Sequence, residues 1–403
     1  MSDEEPSSDF DQEHSEGAGD QPENARISLQ EQEYSPKVNG RLQRQHRVFY
    51  QRKAKKIEQI LSKDPVDIAE LRQQSISRGG LLTDDLRRRA WPILLNVNVK
   101  NITPKPEAAV LQGHRDYRQV VLDVERSLRR FPPGMEEQHR LSLQDSLVDV
   151  IMRVLVKHPE LYYYQGFHDI CVTFLLVVDE DMAFALVEKL SLGHLRDYME
   201  ATMERTTQVL NYLQPLLKKA NPELYDYLEG AELGNIFCLS WIITWFGHVL
   251  NDIKSILRIY DFFIACHALM PIYLTAAVVL YREKEIFETE QEMPFLHALL
   301  SKVPDNLPFE QLLSNAGDLY ILYPPVELAN EALKRFRRAQ AQAAARKQLA
   351  LQKNAQRKSI LPDGNVTFAK VTWWMLGAVA SVAVYALYSS MDWDWSSWIS
   401  HGS

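Results

Sequence analysis

Between residues 45 and 325, apolar side chains recur at intervals of three and four, β-branched alternation is scarce, and Pro and Gly interrupt the pattern. Such spacing gathers apolar residues on one face of a 3.6-residue turn and predicts an all-α body. Helices are expected over residues 84–95, 116–130, 142–157, 170–178, 204–220, 241–250, 271–282 and 291–302. Asp84, Asp116 and Ser142 stand at expected starts, where a side-chain oxygen can accept an orphan backbone N–H; Pro132-Pro133-Gly134, His158-Pro159 and Asn221-Pro222 are expected stops. No internal repeat is visible, which argues against a solenoid.

The two ends break this pattern. The first forty residues hold eleven acids against Arg26 and Lys37 and almost no large apolar residues. Residues 1–44 therefore read as a disordered acidic tail, because too little surface can be buried to offset the ordering entropy. Residues 45–328 read as the helical domain. Residues 329–366 turn basic and Ala/Gln-rich and read as a solvated helical linker. Residues 371–391 then run 21 positions without a charge. At 1.5 Å per residue a helix of that length spans about 30 Å, the thickness of a bilayer core. Trp373, Trp374 and Tyr388 near its ends, with Trp393, Trp395 and Trp398 beyond, have the placement of interfacial aromatics. A single C-terminal transmembrane helix is expected, a tail anchor that leaves the bulk of the chain in the cytosol and residues 392–403 as a short luminal tail. A second apolar stretch, residues 259–281, contains Asp261, His267 and Pro271, which are costly in lipid, and reads as core helices instead.

Composition narrows the field. The 403 residues are 46% hydrophobic and 24% charged, which excludes a mostly disordered chain, a collagen-like repeat and a multi-span transporter. A net charge of -8 gives no reason to expect a nucleic-acid partner. Cys171, Cys238 and Cys266 lie in apolar surroundings without C-x-x-C spacing and read as buried thiols in a reducing compartment. His168, His248 and His267 lack metal-ligand spacing, so no metal site is expected. No phosphate-cradling G-x-x-x-x-G-K-[ST] loop is present either.

Two segments could carry chemistry. On a helical wheel, Tyr117, Val120, Val121, Val124, Leu128 and Phe131 form a core-facing stripe and place Arg126 nearly opposite, with Asp123 one turn earlier to hold its guanidinium and Leu122 as an outward apolar residue. By itself, an exposed arginine is usually only solvated surface. The second segment is Tyr162-Tyr163-Tyr164-Gln165-Gly166-Phe167-His168-Asp169. Three consecutive tyrosines cannot all face one core. Gly166 permits a sharp turn, Asp169 is placed to cap a helix starting at Ile170, and Gln165 is then held at a helix entrance.

Together these residues resemble the TBC-domain Rab GTPase-activating proteins. Val120-x-x-Asp123-x-x-Arg126 is similar to that family's I-x-x-D-x-x-R motif, and Tyr163-x-Gln165-Gly166 to its Y-x-Q-G motif. Gly79-Gly80-Leu81, Leu86-Arg87 and Trp91-Pro92-x-Leu94-Leu95 resemble its opening block; Trp241 to Phe246 and Arg258-Ile259-Tyr260-Asp261 resemble later ones. The motif core covers about residues 79–267. The resemblance implies a multi-helix TBC fold that binds a Rab GTPase in its GTP form and accelerates hydrolysis, acting as an activator rather than an enzyme with its own nucleotide. GTP and Mg²⁺ would belong to the GTPase. Arg126 and Gln165 are the implied arginine and glutamine fingers, Asp123, Tyr163 and Gly166 their supports, and Leu122, Tyr164 and Asp169 candidate partner contacts. With the anchor, the resemblance implies vesicle traffic at the endoplasmic reticulum and early Golgi membrane. The alternatives are a catalytically silent Rab-binding effector and a membrane-tethered helical scaffold.

Overall fold

A computed structural model describes residues 40–126 and 136–359, with side chains from 44 to 353 outside that gap. The helices are α1 (Gly40–Leu61), α2 (Ile68–Ile76), α3 (Asp84–Leu94), α4 (Ala108–Gln112), α5 (Tyr117–Arg126), α6 (Glu137–Lys157), α7 (Phe167–Leu175), α8 (Glu180–Leu192) and α9 (Glu204–Leu210). They continue as α10 (Leu213–Ala220), α11 (Pro222–Gly230), α12 (Leu239–Ile243), α13 (Ile253–Ala265), α14 (Met270–Tyr281), α15 (Glu283–Phe287), α16 (Met293–Leu300), α17 (Phe309–Leu322) and α18 (Pro325–Ser359). Among the described residues there is no strand. The chain divides into two compact units, residues 1–56 and 57–403. The described part of the first is the opening of α1, with Arg44, Arg47, Arg52, Lys55 and Lys56 exposed.

In the second unit the core is built on helices that are buried on nearly every face. Every residue of α7 is buried, as are Ile256 to Ala265 of α13 and Met270 to Val279 of α14. Such helices need neighbours on all sides. α6 packs against α5, α7 and α8, while α14 packs against α10, α12 and α17. Residues 259–281 are thus two core helices broken at Cys266, and no helix among the described residues is long and apolar enough to cross a membrane. The expected anchor at 371–391, the tail before residue 40 and the turn at 132–134 lie outside the described residues.

A buried polar joint ties the opening and closing motif blocks. Asp261 of α13 is fully buried. It accepts hydrogen bonds from the Arg87 guanidinium at 3.0–3.2 Å, from Trp91 Nε1 at 3.0 Å and from the Leu81 backbone N–H at 2.9 Å. Burial alone would lower the Arg87 pKa; Asp261 and Asp84 outweigh it and hold it above its ordinary value. One turn before Asp261, Arg258 caps the end of α2 through the carbonyls of Ser75, Ile76 and Ser77. Gly80 lies where these groups converge, at φ +55, and a Cβ there would sit 2.6 Å from Asp261 Oδ2.

Several expected boundaries move. Thr83, not Asp84, caps α3 by accepting from the Leu86 N–H, and Ser142 lies inside α6. The stretch 204–220 is two helices, α9 and α10. The helix expected over 241–250 ends at Ile243, because Trp245 and Phe246 turn left-handed at φ +50 and +64. Each such residue costs of order 1–3 kcal/mol, and burial of both rings against Tyr260, Phe263 and Trp241 offsets it. α18 begins before the expected linker start at 329. Leu328, Ala332 and Phe336, spaced by four, are buried, and α18 packs on α9 and α10, so its first turns belong to the domain. Cys171 and Cys238 are fully buried, whereas Cys266 is only partly so. Burial pushes the Cys266 thiol up to about 12.

Candidate functional site

α5 presents its two faces as the apolar spacing predicts. Val120 and Val124 are buried, Leu122 is 44% exposed and the Arg126 side chain is 71% exposed in the last turn. Asp123 forms the expected ion pair with Arg126, but at long range. It is 2% exposed, on the inner edge of the helix, and stands 3.9 Å from Arg126 Nη1, beyond hydrogen-bond range. Its oxygens accept instead from Gln119 Nε2 at 2.9 Å and from the Tyr163 hydroxyl at 3.0 Å. Asp123 therefore orients Arg126 only through its field, and its direct role is to join α5 to the tyrosine segment.

The three tyrosines take three environments. Tyr162 is exposed with the Arg115 guanidinium 4.1 Å from its ring centroid. Tyr163 turns inward onto Asp123, and Tyr164 donates to the Ile243 carbonyl at 2.8 Å, tying the segment to the end of α12. Burial first, and the Asp123 charge second, push the Tyr163 pKa well above its ordinary value, so the hydroxyl keeps its proton. Arg115, just before α5, donates to the Leu161 carbonyl at 2.8 Å, so the segment is gripped at a second point.

Gly166 is the N-cap of α7 at φ +106, and an added Cβ would meet Thr244 Cγ2 at 2.7 Å. This turn leaves Gln165 exposed at the helix entrance. α7 starts three residues earlier than expected, at Phe167, so Asp169 lies in its first turn and does not cap it. Asp169, a candidate partner contact, is 2% exposed and its Oδ2 lies 2.9 Å from His248 Nδ1, so in this structure it is an internal group. Tyr164 is half-buried, with its hydroxyl committed to the chain's own backbone. Of the candidate contacts, Leu122 remains an outward-facing side chain.

The structure adds residues that the motif reading passed over. Gln119 sits one turn before Asp123, a spacing visible in the sequence. His168 and His248, which lack metal-ligand spacing, find other partners. His168 Nδ1 lies 3.0 Å from the Tyr163 hydroxyl, its Nε2 is 3.7 Å from Asp169 Oδ1, and His248 reaches Asp169 from the loop after α12. Thr244 shapes that loop, its hydroxyl donating to the Ser240 carbonyl and accepting from the His248 N–H. No local pattern announces the His248 contact, made across 79 positions.

Residues 84–287 match the Rab-GTPase-TBC domain. The human TBC1 domain family member 20 is 52% identical over 310 residues, covering 77% of this chain and 77% of that protein. The GTPase-activating protein gyp10 of Schizosaccharomyces pombe is 35% identical over 243 residues, 59% of this chain and 64% of its own. A similar fold occurs in the crystal structure of the Ypt/Rab-GAP domain of Gyp1p, with a TM-score of 0.55 at 18% identity, covering 68% of this chain and 98% of that one.

Proposed function

This chain belongs to the Rab-GTPase-TBC domain family of Rab GTPase-activating proteins, and from that premise we propose that Arg126 and Gln165 act in trans on GTP bound to a Rab GTPase. The observation that carries this reading is the hydrogen bond from Tyr163 to Asp123 at 3.0 Å. It joins the turn that exposes Gln165 to the helix that exposes Arg126. A γ-phosphoryl transition state spreads negative charge over its oxygens and needs the attacking water held in line. In the proposed mechanism, Arg126 neutralises that charge through its planar guanidinium and Gln165 orients the water. Gly166 sets the Gln165 turn, and Leu122 supplies apolar contact to the GTPase. Nucleotide and Mg²⁺ come with the Rab.

The membrane reading is part of the same proposal. Residues 371–391 would anchor the chain at the endoplasmic reticulum and early Golgi, with the domain on the cytosolic side and residues 392–403 beyond the bilayer. Tethering would raise the effective concentration of the domain beside membrane-bound Rabs without new contacts.

The experiment is single-turnover GTP hydrolysis by a panel of purified Rabs with the full chain, Arg126→Ala, Arg126→Lys and Gln165→Ala. An arginine finger is typically worth about 10³ to 10⁵ in rate. Loss on that scale is expected in Arg126→Ala and nearly as much in Arg126→Lys, since an ammonium lacks the planar fork. Binding to GTP-loaded Rab without acceleration by the wild type would favour the silent effector. A chain ending at residue 365 should keep its activity and leave the membrane fraction of cells; membrane retention would sink the anchor assignment.

A further inference from the structure

The hydroxyl of Tyr163 has one proton and two neighbours at 3.0 Å, Asp123 Oδ2 and His168 Nδ1. Asp123, as a carboxylate, can only accept, and takes the Tyr163 proton at one oxygen and the Gln119 amide at the other. The hydroxyl then has only lone pairs to offer His168, so the imidazole must carry its own proton on Nδ1 and donate. The reverse tautomer would set the Nδ1 lone pair against the hydroxyl. Tyr163 would have to turn its proton to His168 and present a lone pair to Asp123.

Resting on the dual-finger reading, we propose that His168 is a positioning residue, whose Nδ1–H locks the Tyr163 hydroxyl onto Asp123 and so keeps Arg126 available to the GTPase. With the lock in place, Asp123 has a donor on each oxygen among the described residues and stands 3.9 Å from Arg126 Nη1, near enough to orient it and too far to hold it. Without the lock, nothing on the far side of the hydroxyl holds the Tyr163 side chain in place, and as it swings away Asp123 Oδ2 loses its donor. Arg126, one turn along the same helix with Nη1 3.9 Å from the neighbouring Oδ1, is a cation of that helix that can close on the carboxylate, and a charge-assisted bond to it would draw the finger back onto its own helix. His168 thus couples the Gln165 turn to the Arg126 helix without touching substrate.

The test has two independent readouts on the full chain. The first is the imidazole ¹⁵N spectrum of selectively labelled protein, with the His168 signals assigned by their loss in His168→Asn; protonated Nδ1 is expected, and an unprotonated Nδ1 would overturn the lock. The second is single-turnover hydrolysis across activator concentrations, with thermal midpoints recorded alongside. Misplacing a catalytic group by about 1 Å can cost roughly 100-fold. His168→Ala should therefore lower the maximal rate by about ten- to a hundred-fold and leave the half-saturating concentration in place. His168→Asn should recover most of the rate, because its amide N–H occupies the position of Nδ1–H. A full maximal rate in His168→Ala would refute the proposal, as would parallel loss of rate, affinity and thermal midpoint in both variants. If the wild type accelerates no Rab, the dual-finger reading fails instead, and the imidazole spectrum still decides whether the lock exists.

Discussion

Gly166 shows how one residue sets the geometry of another. Its φ of +106 turns the chain between Gln165 and α7, and the absence of a Cβ lets the Thr244 methyl close in behind. Gly166→Ala should cost about 1–3 kcal/mol from the backbone conformation. The 2.7 Å approach to Thr244 adds to that, and the easiest relief moves the Gln165 turn. Denaturant unfolding should record the stability loss, and single-turnover hydrolysis a slower rate than the stability change explains. Unchanged values of both would show that the turn tolerates a side chain. The exposure of Arg126 and the Tyr163–Gly166 turn that holds Gln165 were legible from the sequence because their spacings are local. Asp123 as an internal acid, the fate of Asp169 and the partners of His168 were not. Each depends on which residues the fold brings to the buried side.

Among elements, the joint between α3, α13 and the α2–α3 turn is densely bonded. Asp261 satisfies Arg87, Trp91 and the Leu81 N–H at once, from 170 to 180 positions away. Removing one partner of a buried ion pair typically costs about 3–5 kcal/mol, because the remaining charge is left uncompensated. Asp261→Ala should lose stability on that scale, measured by urea denaturation, and a loss within the range of surface substitutions would contradict the assigned role. The expected stretches coincide with α3, α5, α6, α7, α9, α10, α12, α14 and α16 but passed over α1, α8 and α17, and they missed the break at Ile243 and the split of α9 from α10. Periodicity records which residues are buried; it is silent on whether burial is reached by continuing a helix or by a left-handed turn.

For the molecule as a whole, several histidines share one electrostatic bias. Burial lowers the pKa of His194, against the opposing hydrogen bond to the Cys266 carbonyl, and burial likewise lowers His114 and His267. A histidine depressed below its ordinary value of about 6.5 is protonated first in the unfolded state. Its stabilising contribution is present above that pH and is lost as pH falls toward the folded pKa. The thermal midpoint should therefore hold above about pH 6.5 and decline on acidification below it. In His194→Gln, whose amide can still donate to Cys266, the decline should be shallower. An identical slope in wild type and variant would remove His194 from the account.

The sequence by itself determined the helical class, the buried character of residues 259–281 and the two family motifs around Arg126 and Gln165. All three follow from short-range rules: apolar spacing, residue propensity and motif spacing within a few turns. Only the tertiary structure decided that Asp123 faces Tyr163 more closely than Arg126, that Asp169 is internal, that α18 begins as part of the domain and that His168 meets the Tyr163 hydroxyl. Those outcomes depend on which buried polar groups find partners across long sequence separations. The cost of leaving such a group unpaired is settled by packing, which local spacing does not encode.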